Sequence, residues 1–128
     1  MEIFKQCLAV GAGGFLGALA RFGFGRFIQG LIDHTFPVGT MLVNLTGCFI
    51  LGFFFGFAGD RPLLIGDKIK LGVATGFVGA YTTFSTMMYD TSALSKRGEG
   101  WQAMANLGLS LILGFWAVRL GDFLGRRI

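Results

Sequence analysis

The chain has 128 residues, enough for one ordinary domain, yet 53% of them are apolar and 14% charged, with a mean hydropathy of +0.66. Soluble domains carry about 25% charged residues, so a water-soluble globule is excluded. The net charge of +4 comes from eleven cations scattered in ones and twos, which argues against a nucleic-acid-binding stripe and fits contact with lipid headgroups.

Charged residues gather near the ends of four apolar stretches, at about 4–29, 36–59, 66–95 and 99–125. Each exceeds the ~20 residues that cross a hydrocarbon core of about 30 Å. The expectation is an all-α polytopic membrane protein, a single domain over 1–128 with four transmembrane helices and short loops. Such a tight bundle leaves little interior volume, so any pathway is expected between subunits of an oligomer.

The first stretch is glycine-rich, long and carries Arg21 within "GALARFGFGR", unlike the compact apolar centre of a signal peptide. Arg21 either snorkels to the interface or places a positive charge at a vestibule mouth. The loop that follows holds His34, read as a solvated residue. In "HTFPVGT", Pro37 predicts the start of the second helix, where a missing amide donor costs nothing. That helix carries Thr40, Asn44 and Thr46, with Thr40 and Asn44 four apart on one face.

The third stretch contains "GAYTTFSTMMYD", with Thr82, Thr83, Ser85 and Thr86 around Phe84. Gly76 and Gly79 lower helix propensity just before it, so the helix is expected to break there and free backbone carbonyls near the middle of the membrane. Such carbonyls suit a small hard cation such as Na⁺. In the fourth stretch Asn106 and Ser110 share a face. A buried amide without a partner costs roughly 2–7 kcal/mol, so these polar faces must meet each other, water or a passing solute. Glycine pairs at Gly13/Gly17, Gly52/Gly56 and Gly72/Gly76 predict close helix packing. Cys7 and Cys48, without metal-ligand spacing, are read as small buried hydrophobes.

All seven acidic residues, Glu2, Asp33, Asp60, Asp67, Asp90, Glu99 and Asp122, fall at or near span ends. A proton-coupled exporter with a deep carboxylate is therefore disfavoured. Arg21, Arg26, Lys96 and Arg97 lie on one side and the other seven cations on the side of both termini. That bias is modest and permits insertion both ways round. One loop histidine and two span cysteines assemble no catalytic group, so no enzyme is expected.

The stretches "GALAR", "GTMLVNLTGCFILG" and "TGFVGAYTTFST" closely resemble, in order, motifs of the Fluc/CrcB family of fluoride channels, and the resemblance covers the whole chain. It implies an antiparallel, dual-topology homodimer in a bacterial inner (cytoplasmic) membrane, with two passive fluoride pores lined by both subunits. It implies further that Asn44 lines the pore, Arg21 the vestibule, and Phe84 faces the anion with its ring edge. Ser85, Thr86 and Ser110 would form a hydroxyl track with Thr83 beside it and Thr40 along the route. Backbone carbonyls of Gly79 and Thr82 would hold a central structural Na⁺. Met87 departs from the family's usual second phenylalanine, and Asn106 stands where tyrosine or histidine is common. The alternative is a coupled transporter of another small polar or ionic solute; a structural subunit of a larger membrane complex is a further rival.

Overall fold

The computed structural model describes residues 1–32, 34–59 and 61–128; the terminal placement expected for Asp33 and Asp60 lies outside the described residues. Every element is helical: α1 (Glu2–Leu31), α2 (Val38–Gly59), α3 (Asp67–Lys70), a π-helical segment (Leu71–Val78), α4 (Gly79–Tyr81), α5 (Phe84–Lys96) and α6 (Gly100–Arg127). No strand occurs among the described residues. Helices α1, α2 and α6 are each long and apolar enough to cross a membrane. The third apolar stretch reaches from 67 to 96 as four consecutive pieces. Pro37 stands immediately before α2, and its carbonyl accepts from Met41 N at 3.1 Å.

Glycine sets how these helices meet. Hydrophobic association is weak in lipid, so close backbone packing must supply the attraction. A Cβ on Gly13 would overlap the carbonyl of Gly72, and one on Gly17 the carbonyl of Phe77. The π-helical segment therefore lies backbone to backbone on α1, running the same way. On the other half of the molecule Gly52 abuts the Val118 carbonyl and Gly56 that of Asp122, while Gly121 and Gly125 abut those of Phe49 and Phe53. Helices α2 and α6 are thus also parallel neighbours. Gly39 against Gly25 sets α1 and α2 antiparallel, giving an up-down-up-down course in which alternate spans pair.

The three glycine pairs expected to pack closely do so, and Gly121/Gly125 form a fourth that the sequence reading passed over. Loop contacts agree with this course. Lys68 Nζ reaches Glu2 Oε1 at 3.4 Å at one end, and Thr35 Oγ1 donates to Glu99 Oε2 at 3.5 Å at the other. The turn from α5 to α6 requires Gly98 at φ +79°, where a side chain would be strained.

Most large apolar side chains of α1 point outward, among them Phe4, Phe15, Leu19 and Phe27, and Gly17 is its one buried residue. A helix apolar all round yet uncovered is built for lipid or for another membrane-embedded surface. Cys7, expected inside, is exposed on this helix, because the packed face of α1 is reserved for glycine.

We expect Gly121→Val to destabilise the fold by about 2 kcal/mol or more, since the Cβ meets backbone that cannot step aside. Gly11→Ala, where nothing lies within 4 Å, should be neutral or gain up to ~1 kcal/mol of helix propensity. Loss of the monodisperse species on heating in detergent measures both.

Candidate functional site

The site grows out of the break between α4 and α5. Thr82 is extended (φ −81°, ψ 158°) and so is Thr83 (φ −150°, ψ 114°). In a continuous helix Thr83 N would donate to the Gly79 carbonyl. Here it donates to Asn44 Oδ1 at 2.7 Å, and Asn44 Nδ2 returns the bond to Thr83 O at 3.0 Å. One carboxamide thereby satisfies both backbone groups of a residue that has left the helix, at a depth where an unpaired amide is costly.

The cause of the break differs from the sequence reading. Gly79 keeps helical angles (φ −60°, ψ −37°), and Gly76 is a packing contact against Val10 and Gly13 of α1. The chain leaves the helix because Asn44 offers Thr83 a competing partner. Thr83 then caps α5, its Oγ1 accepting from Thr86 N at 3.2 Å, the favoured role for threonine at a helix start. Thr86 N is the donor that Thr82 O would have received. The Gly79 and Thr82 carbonyls therefore both lose their helical donors. They are two hard oxygens of the kind that hold small cations, and two from one chain do not surround an ion.

Two cavities flank the break. One, of about 240 Å³, is lined by Asn44, Cys48, Thr82, Phe84, Met87 and Ser110 among others. The second, of about 400 Å³, is lined by Arg21, Arg26, Gln29, Thr40 and Thr86 among others. Thr83 lines both, so the Asn44–Thr83 pair stands as the wall between them. Among the described residues the smaller cavity is lined by no carboxylate, histidine, lysine or arginine.

Within the smaller cavity Ser110 is 9% exposed, and its Oγ has no hydrogen-bond partner among the described residues. A buried hydroxyl without a partner is rare in folded proteins, and this one can donate to a guest. Met87 is 6% exposed and forms part of the wall, whereas Phe84 is 71% exposed and reaches beyond the chain's own surface. Ser85 and Thr86 are exposed beside it. Thr83 Oγ1 lies 3.0 Å from Thr86 Oγ1 and 3.3 Å from Ser85 Oγ.

The predicted residues thus fall into three places. Asn44, Thr82, Thr83, Phe84, Met87 and Ser110 meet at the smaller cavity, and Arg21, Thr40 and Thr86 at the larger. Asn106, Ser85 and Gly79 line neither. Asn106 is 1% exposed and gives its amide to Thr91 Oγ1 at 2.9 Å, joining α6 to α5. Thr46 is structural too: its hydroxyl donates to the Leu42 carbonyl at 2.7 Å and meets Tyr81 OH at 2.8 Å. His34 is exposed, its Nδ1 accepting from Phe36 N at 3.0 Å.

The sequence reading missed four residues here. Cys48 lines the smaller cavity one helical turn from Asn44, on the face that the spacing of Thr40 and Asn44 already marked. Arg26 lines the larger cavity, five residues from Arg21. Gln29 ties down the turn into α2, its Oε1 accepting from Gly39 N at 3.0 Å and its Nε2 donating to the His34 and Phe36 carbonyls. Thr91 partners Asn106, and no local pattern links residues so far apart.

Residues 8–122 match the model of the family described as CrcB-like protein, Camphor Resistance (CrcB). The chain belongs to the CrcB family. The match spans α1 to α6 and so takes in Arg21, the break and both cavities. Similar family members include proteins named fluoride-specific ion channel FluC from Dehalococcoides mccartyi, 38% identical over 94% of this chain and 92% of theirs, and from Acidobacterium capsulatum, 42% identical over 94% and 96%. A protein named fluoride-specific ion channel FluC 2 from Symbiobacterium thermophilum is 42% identical over 92% of this chain and 95% of its own. With three helices able to span and these relatives, the chain is a multi-pass membrane protein.

Replacing Asn44 tests the wall. Asn44→Leu strands both Thr83 backbone groups and should cost about 1–3 kcal/mol for each one left unsatisfied. Asn44→Asp keeps the acceptor for Thr83 N and loses the donor to Thr83 O, so its melting temperature in detergent should fall between those of the parent and the leucine variant.

Proposed function

We propose that this chain forms a passive fluoride-selective channel that exports fluoride across the cytoplasmic membrane of a bacterium. The observation that carries the reading is the cavity at the break: lined by neutral residues, mostly apolar, with the Asn44 amide, Thr82 and Thr83 among them, and holding the unpartnered Ser110 hydroxyl. Family members named for fluoride supply the identity of the ion.

Fluoride is small and tightly hydrated, so fixed donors must replace its water continuously while none holds it too strongly to leave. The remaining N–H of Asn44, the Ser110 hydroxyl and the positive edge of the Phe84 ring serve as such donors. Helix α5, 13 residues long, begins at Phe84 and turns the positive end of its dipole toward the same place. Arg21 and Arg26 in the larger cavity draw anions to the mouth. The Thr83, Thr86 and Ser85 hydroxyls mark the route onward, with Thr40 on the vestibule side. Asn106 acts in this scheme by holding α5 and α6 in register beside Ser110.

The pathway is completed by a second, antiparallel copy of the chain. Three things support this: Phe84 and the Ser85 and Thr86 hydroxyls are exposed near the midpoint of the third apolar stretch, bare hydroxyls gain nothing from hydrocarbon, and the modest charge bias permits both insertions. Two pores per dimer follow, each lined by both copies. A structural Na⁺ sits at the centre, held by the Gly79 and Thr82 carbonyls of each copy. A coupled carrier needs a protonatable group at the site or a Na⁺ that leaves it; among the described residues the smaller cavity is lined by no carboxylate, histidine, lysine or arginine, and efflux without a Na⁺ gradient separates a channel from the second.

Fluoride efflux from liposomes that contain only this protein decides the matter: rapid efflux without an imposed Na⁺ or proton gradient is expected, and silence refutes the channel. Phe84→Ile should slow efflux at least about tenfold, equivalent to ~1.4 kcal/mol on the barrier, while the protein stays folded. Ser110→Ala should slow it about fivefold to tenfold, as for one lost hydrogen bond of ~1–1.5 kcal/mol. Met87→Phe asks whether a second aromatic edge improves throughput or selectivity; an unchanged rate places Met87 in the wall alone.

A further inference from the structure

Arg119 plays no part in the site. It lies in the apolar run "LILGFWAVRLGDF" of α6, is exposed, and forms no salt bridge among the described residues. Nine residues separate it from Ser110, half a turn out of phase at 100° per residue. It therefore stands on the face opposite the Ser110, Gly114 and Gly121 seam that packs on α2.

The length of α6 fixes its depth. Twenty-eight residues span about 42 Å at ~1.5 Å each, against a hydrocarbon core of ~30 Å. Arg119 is eight residues, or about 12 Å, from the final Arg127. Its Cα then sits roughly 6 Å inside the hydrocarbon boundary when α6 is centred. A guanidinium on a long stem reaches the headgroup level from there.

Around it runs a surface groove of about 670 Å³ lined by Leu45 of α2 and by Leu113, Trp116, Leu120 and Phe123 of α6 among others. Trp116 and Phe123 are exposed. An apolar trough along the span, with one cation in its outer half that forms no salt bridge among the described residues and reaches the headgroup level on its long stem, matches an acyl chain ending in a phosphate. The same end of the molecule carries Arg126 and Arg127, of which Arg126 is engaged by Asp122 at 3.1 Å, while Arg127 sits over the Phe123 ring at 4.1 Å.

We propose that this groove on the outward side of α6, lined also by Leu45 of α2, is a binding site for an acidic phospholipid, its phosphate paired with Arg119 and one acyl chain lying along Leu120, Trp116 and Leu113. Charge complementarity selects this occupant: a guanidinium forms two parallel hydrogen bonds to a phosphate, and Arg127, over the Phe123 ring two turns further along α6, adds positive charge at the same end of the molecule. The site lies on the outer face, away from both cavities, and so holds whether or not the channel reading does.

The test is native mass spectrometry of the detergent-purified protein titrated with phosphatidylglycerol or with phosphatidylcholine of the same chains. The parent should retain phosphatidylglycerol preferentially, and Arg119→Gln should lose about fivefold of that preference, with Arg119→Lys recovering part of it. Trp116→Ala should weaken retention of both lipids. Equal retention of the two lipids by the parent, or unchanged preference in Arg119→Gln, overturns the site. A change of oligomeric state in Arg119→Gln also overturns it, because a second copy would then be what covers this face. Fluoride efflux is not read in this experiment, so its result stands apart from that of the channel.

Discussion

The reciprocal pair between the Asn44 carboxamide and the Thr83 backbone, at 2.7 and 3.0 Å, is the contact on which the rest of the centre depends. Breaking a helix inside a membrane exposes backbone groups that hydrocarbon cannot satisfy. A single carboxamide can satisfy a donor and an acceptor together, because it carries both; a hydroxyl or a carboxylate cannot do so with the same geometry. Once Thr83 is held this way, its hydroxyl is free to cap α5, the Gly79 and Thr82 carbonyls are released, and Phe84 begins a new helix facing outward. Each feature of the site descends from that exchange.

The exchange works only if α2 and the third span are held at fixed separation. Gly47 of α2 meets the Thr82 methyl and the Tyr81 ring, and Tyr81 OH joins Thr46 Oγ1 at 2.8 Å. The Tyr81 ring stacks on Phe77 at 5.7 Å between centroids. The α2 residues in these contacts, Thr46 and Gly47, lie within one helical turn of Asn44 on its C-terminal side. Behind them the glycine seams to α1 and α6 bring backbone against backbone, where side-chain rotamers cannot absorb movement. The rigid part of the molecule is thus its glycine-lined interior, and its chemistry hangs from the one place where the helix stops.

The four apolar stretches were readable in composition, because hydrocarbon thickness and charge placement leave little choice; their ends fall within about two residues of the observed helices, the usual scatter of such boundaries. The glycine pairs were readable for the same reason, since a gap every fourth residue has one geometric meaning. The break was foreseen at the right residues and for the wrong reason. Glycine propensity is local, whereas the partner that draws Thr83 out of the helix lies 39 residues earlier on α2. Helix spacing likewise marked Asn106 and Ser110 as one face, yet could not tell that Asn106 closes on Thr91 while Ser110 remains unpartnered. A period shows which side chains share a face, and only the packing of a second helix shows which are already occupied. The π-helical turn at Leu71–Val78 had no signal in the sequence.

The placement of charge completes the picture. Among the described residues the larger cavity holds Arg21 and Arg26 and the outer groove holds Arg119, while the smaller cavity is lined by neutral groups. A fixed full charge beside an ion in a medium of low dielectric would hold it with many times the strength of a dipole, and a charge of its own sign would exclude it. Neutral donors give an intermediate attraction that falls off quickly, which lets one group release as the next engages. On the proposed reading Arg21 and Arg26 raise the local concentration of an anion at the mouth, and Thr83, which lines both cavities, stands between them and the neutral centre. In the proposed channel, recruitment and conduction are assigned to different residues for this reason: the long-range force acts where water still screens it, and the short-range donors act where it does not.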